Sequence, residues 1–225
     1  MRRLTLPLAL LAVLALAASA AAATNAAKFD LGLTTKKIGK STGFSFDVVF
    51  ANAGGNPVPA ALNRFSVTLP KGSKFNHAAA PQCTATDKQL TDKGSAACAR
   101  ATQVGTGKAS AVPAGGGNTL DTTVKIFNMD RNQFMFQIQV GGNDAARFFA
   151  KSKGSTLTSD SLTGTLPGGV IVTSFQGKIQ PKSSKGKNLI TSPSTCPKSR
   201  KWKFSGTFKF ADGTHKPTDT GACRS

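Results

Sequence analysis

The sequence contains no tyrosine, no glutamate and a single tryptophan, Trp202. Each gap removes a class of function. A sugar-binding face exposes Trp or Tyr, whose rings are apolar and whose tips are polar. Here Trp202 lies in phase with Phe204, Phe208 and Phe210 and reads as core. Glycoside hydrolysis by paired carboxylates has little support when all ten acids are Asp scattered over turns. Asp130, Asp144 and Asp212 fall in turns, where Asp is favoured for backbone reasons, and they lack calcium-loop spacing. No Cys-x-x-Cys pair is present, so a four-cysteine metal site is the weaker reading of the cysteines. No G-x-S-x-G elbow is present either. Gly39-Lys40-Ser41 has the ending of a phosphate-binding loop, but Thr34 stands where that loop needs its first glycine. The two histidines, His77 and His215, lie far apart in polar segments and read as solvated loop residues. We expect a non-enzymatic protein with no catalytic residue, no metal and no cofactor.

Long apolar runs are also missing beyond the first residues. Met1-Arg2-Arg3 gives a positive start, and Leu4 to Ala18 is rich in Leu and Ala. Ala18-Ser19-Ala20 and Ala21-Ala22-Ala23 both have the small-x-small form of a cleavage site. The run is shorter than the ~20 residues of a membrane span, and no cysteine near it could carry a lipid. The reading is a cleaved signal peptide over 1–23, taking the general export route, and one secreted domain over 24–225. No transmembrane segment follows cleavage. A split near Gly141 to Asp144 into two smaller domains is the alternative.

What is present points to strands. Ser, Thr, Gly, Val and fifteen Phe suit a pleated sheet better than a helix. Phe44, Phe46, Val48 and Phe50 alternate with polar neighbours, and so do Leu120, Thr122, Val124 and Ile126. Phe134, Phe136, Ile138 and Val140 do the same. The clearest run is the last: Trp202, Phe204, Gly206, Phe208 and Phe210 alternate with Lys201, Lys203, Ser205, Thr207 and Lys209. Asp212-Gly213 is a favoured hairpin dipeptide. Leu157 to Leu166 reads as a further strand ending at Pro167-Gly168-Gly169, and Lys182 to Lys198 as a polar loop. Thr84 or Thr86 can cap one short helix that Gly94 stops. The expected fold is all-β: an antiparallel two-sheet sandwich, immunoglobulin-like or related, of about ten short strands, with a stapled loop and at most one short helix.

Four cysteines in an exported chain imply two disulfides. Three pairings are possible. The sequential one, Cys83 with Cys98 and Cys196 with Cys223, is the most economical, because each pair brackets a self-contained segment.

Charge is one-sided, with 29 Lys and Arg against ten acids, a formal +19. Removing Arg2 and Arg3 with the signal leaves 27 bases and +17. Bases crowd the last third: Lys178, Lys182, Lys185, Lys187, Lys198, Arg200, Lys201, Lys203 and Lys209. Such a face can simply stay solvated, or guard a strand edge. Its functional reading is a polyanion-binding surface for an anionic wall polymer or acidic glycan. Nucleic acid is the weaker partner, since no nucleic-acid motif accompanies the charge. An exported enzyme with an unrecognised site, and a structural or adhesive protein-interaction module, are the competing readings. The expected location is secreted, extracellular or bound at the cell surface.

Several motifs carry a resemblance. They are Leu69-Pro70-Lys71-Gly72 with Phe75, then Pro81, Cys83, Gly94, Ala97, Cys98, Val104-Gly105 and Gly107. Near the end come Cys196-Pro197, Arg200, Trp202, Phe204, Ala211-Asp212-Gly213 and Cys223. In these the chain resembles a group of uncharacterised secreted actinobacterial proteins, over most of its length after the signal. The resemblance implies export, an all-β domain and two sequential disulfides, and it supplies no catalytic residues. The chain departs from the group in using Lys for much of the Arg and in lacking Glu.

Overall fold

The structure is a computed structural model and describes residues 24–52, 58–160, 162 and 169–224. The expected signal peptide over 1–23 lies outside the described residues. So do residues 161 and 163–168, which hold the later part of the strand expected from Leu157 to Leu166 and the Pro167-Gly168 of its ending at Pro167-Gly168-Gly169. The chain is all-β. The strands are β1 (Thr24–Leu33), β2 (Phe44–Asn52), β3 (Leu62–Thr68), β4 (Lys74–Phe75), β5 (Gln103–Pro113) and β6 (Leu120–Met129). They continue with β7 (Gln133–Val140), β8 (Asn143–Lys153), β9 (Thr156–Ser159), β10 (Val170–Ile179), β11 (Ser183–Ser184) and β12 (Lys187–Asn188). The last are β13 (Ile190–Thr191), β14 (Lys201–Phe210), β15 (Thr214–His215) and β16 (Thr218–Ala222). Among the described residues one α-helix, α1 (Asp87–Lys93), and three short 3-10 turns stand between them.

The expected two-sheet sandwich is not what forms. Twelve strands make one antiparallel sheet in the order β1-β2-β10-β5-β6-β7-β8-β9-β3-β14-β15, with β16 also on β14. The sheet curls into a nearly closed barrel. Period-2 alternation demands only one dry face and one wet face, so it cannot separate two packed sheets from one sheet wrapped on itself. The long-range order decides. β10 inserts between β2 and β5, and β3 bridges β9 to β14.

The seam between β1 and the strands opposite is closed by side chains. The Thr24 N–H and hydroxyl both donate to Asp212 Oδ2 at 2.8 Å. The Ala26 N–H donates to His215 Nδ1 at 3.0 Å, and the Leu31 N–H to Asp219 Oδ2 at 2.8 Å. Each satisfies a strand-edge donor that has no ladder partner on that side. Gly206 lets the two edges approach: a Cβ there would stand 2.7 Å from the Phe29 ring, which packs edge-on against Phe208 at 5.7 Å.

The barrel interior is phenylalanine-rich. Phe136 stacks on Phe148 at 4.8 Å and Phe46 on Phe175 at 5.0 Å. Trp202 is buried as expected, and β14 keeps its wet-dry alternation. Strand β7 departs from simple alternation: Met135 is as buried as Phe134 and Phe136. The loop between β3 and β5 lies over the outer face there. Cys83, Leu90, Cys98, Phe127, Met129 and Met135 form a second core outside the barrel. Its helix α1 starts with a capping box, Thr86 with Gln89, and ends at Gly94 with φ of 56°, where glycine is unstrained. Both sequential disulfides are present, Cys83–Cys98 and Cys196–Cys223.

One end of the barrel is plugged. The segment from Lys182 to Lys198, expected as a polar loop, carries Leu189 and Ile190 at 0% exposure. Strand β13 pairs with β4, and the Ser192 hydroxyl donates to the Lys37 carbonyl at 2.7 Å. The Trp202 Nε1–H donates to the Thr195 carbonyl at 3.0 Å.

Candidate functional site

The plugged end gathers four segments: 34–43, 70–82, 180–200 and 223–224. They are tied together by backbone bonds. The Gly39 N–H donates to the Pro193 carbonyl, Asn76 to Leu189 and Arg224 to Lys36. These segments contain no acid and eleven bases. The bases are Lys36, Lys37 and Lys40; Lys71 and Lys74; Lys182, Lys185, Lys187, Lys198 and Arg200; and Arg224. All eleven are exposed, and none takes part in an ion pair among the described residues. The acids instead pair elsewhere, as in Lys28–Asp47 on the wall and Arg64–Asp160.

The nine bases singled out from sequence are not one patch. Lys182, Lys185, Lys187, Lys198 and Arg200 lie at the plugged end, and Lys201 borders it at the start of β14. Lys178 sits on the outer wall of β10, opposite Ser45. Lys201, Lys203 and Lys209 are exposed along β14, but at ~3.3 Å per residue Lys209 lies at the far end, opposite Thr214 and Arg64. Six bases at the plugged end escaped the sequence reading, because they come from early turns and the C-terminus. Their signal was present: alternate turns of an antiparallel path emerge at one end, and the stretches that carry these six bases lack acids, although Asp130 of the β6–β7 turn emerges at the same end.

His77 contradicts its reading as a solvated residue. It is 1% exposed. Its Nδ1 lies 2.6 Å from Asn128 Oδ1 and its Nε2 2.8 Å from Ser152 Oγ. The Asn128 amide donates to the carbonyls of His77, Ala80 and Pro81. That fixes Oδ1 as the acceptor, so Nδ1 carries the proton and Nε2 accepts from Ser152. Burial holds the imidazole below its usual value, and the bond to Asn128 opposes this. The order Ser-His-Asn is that of nucleophile, base and orienter. None of the three residues lines either cavity described for the protein, and Phe134 packs 4.5 Å from the imidazole. The arrangement anchors the segment after β4 to β6 and β8.

Inside the barrel lies a cavity of about 340 Å³ lined only by apolar residues and glycine. Its apolar walls face a space that no side chain of the chain fills, and so lack packing partners there.

Among the described residues no helix is long and apolar enough to cross a membrane, and no group of three or more His, Cys, Asp or Glu could hold a metal ion. No protein-family model matches the chain, and no curated protein matches it.

Proposed function

We propose that the protein is a non-catalytic, exported binder of an anionic polymer, a wall polymer or acidic glycan, and that the plugged end of the barrel makes the contact. One observation carries this: eleven exposed, unpaired bases from four acid-free segments share one end. Bringing like charges together costs self-repulsion. A fold that needed charge only for solubility could spread them over the wall, among strand acids such as Asp30 and Asp47. Disulfide Cys196–Cys223 and the backbone bonds between segments pre-arrange the backbone, so little backbone freedom remains to be lost on binding.

The contact should be salt-reversible, because it would release counterions from the polymer. The test is retention of the oxidised protein on immobilised poly(glycerol phosphate) and on heparin across a salt gradient, with dextran as the neutral control. Binding to either anionic polymer and not to dextran is the expected result. No retention at low salt leaves the charge with solubility alone and overturns the reading.

A further inference from the structure

The cavity inside the barrel is separate from the basic end and plays no part in the reading above. It extends from Phe44 and Phe46, near the plugged end, to Ala114 and Gly169 at the other. Ligand pockets of ~300–1,000 Å³ normally set a few polar groups among apolar ones to orient what they hold. Here every lining side chain is apolar, so no side chain inside recognises a charge or a hydrogen-bonding group. An apolar cavity of this kind also excludes water.

Size narrows the occupant further. At the ~30 Å³ that a water-sized group takes up, close to one methylene, 340 Å³ holds about eleven groups. That suits one alkyl chain and is too small for the two long chains of a bilayer lipid. A polar head would find no side-chain partner inside and is best placed at the end marked by Ala114 and Gly169. We propose that the barrel interior binds a single alkyl chain of about ten carbons, from a free single-chain amphiphile, inserted tail first.

The test is calorimetric titration of the oxidised protein with 1-decanol and with 1,10-decanediol. The alcohol should bind at one to one and raise the melting temperature. The diol should bind about ten- to a hundred-fold more weakly, because its second hydroxyl would be buried without a partner. Ala109→Phe and Val172→Trp each place a ring in the cavity, since both residues line it. Each should abolish binding while a cooperative melt shows that the fold persists. If Ala109→Phe does not fold, Val172→Trp, at a half-buried position, carries the test. Flotation with phosphatidylcholine vesicles separates a free chain from a bilayer; the protein should stay unbound. No binding of 1-decanol, equal affinity for the diol, unchanged binding by a folded variant, or flotation with vesicles would each overturn the proposal. Retention on anionic polymer should be the same in both variants, so failure of one reading leaves the other standing.

Discussion

Acidification should destabilise this fold through one buried group, and the size of the effect can be worked out. His77 is 1% exposed, and burial holds its imidazole below the usual 6.5. Below that pH the unfolded chain takes up a proton that the folded chain refuses. Stability is therefore flat with respect to this group above about pH 7 and falls as the pH drops through 6.5. The limiting slope is ~1.4 kcal/mol per pH unit, so the loss at pH 5 is at most about 2 kcal/mol. Asp144 acts in a lower window. Burial pushes its carboxyl up, but donation from Ser95 and Gln139 outweighs this and leaves it below 3.8. Its contribution is present at pH 5 and is lost only as the pH falls through its lowered value. Urea denaturation at pH 7.5 and at pH 5.0 measures the difference. His77→Gln keeps one donor and one acceptor in place and should remove most of the slope. Equal stability of the wild type at the two pH values, or an unchanged slope in His77→Gln, would refute the reasoning.

Two further predictions concern the barrel's closures. Reduction should remove about 3 kcal/mol for the Cys83–Cys98 loop and about 3.5 kcal/mol for Cys196–Cys223, from sequence separations of 15 and 27. Thermal melts with and without reductant check this, and an unchanged melting temperature would count against the estimate. At the seam, Asp219→Ala leaves the Leu31 N–H without its acceptor and should cost about 1–3 kcal/mol. Asp219→Asn keeps an acceptor oxygen and should cost less; equal losses in the two variants would show that the hydrogen bond contributes little.

The parts of this architecture that were legible in the sequence are those fixed by neighbours in the chain. Strand β14 announced itself because Trp202, Phe204 and Phe208 alternate with lysines. Helix α1 did so because Thr84 or Thr86 could cap it and Gly94 follows; the structure assigns the cap to Thr86. The sequential disulfides followed from the segments they bracket. Closure into a barrel did not, because it depends on β10 crossing to lie between β2 and β5. The buried state of His77 was hidden for a related reason. Its partners Asn128 and Ser152 come from β6 and β8, and its own segment of Asn, Ala and Pro looks like a loop. The roles of Asp212, His215 and Asp219 were equally invisible, since the β1 edge that they close lies at the other end of the sequence. The basic end was half seen. The late lysines are dense enough to notice, but Lys36, Lys37, Lys40, Lys71, Lys74 and Arg224 join them only through the fold.

The central claim is that charge gathered at the plugged end binds an anionic polymer. The most direct measurement is the salt dependence of affinity for poly(glycerol phosphate), compared between two variants. One changes Lys36, Lys37, Lys185 and Lys198 to Gln, all at the plugged end. The other changes Lys203 and Lys209 to Gln, on the wall and at the far end. By counterion release at ~0.7 per neutralised charge, the first variant should flatten the slope of log K against log salt by up to about 3. The second should leave the slope close to that of the wild type. Slopes that fall only in proportion to the lysines removed, wherever those lie, would contradict a site at the plugged end.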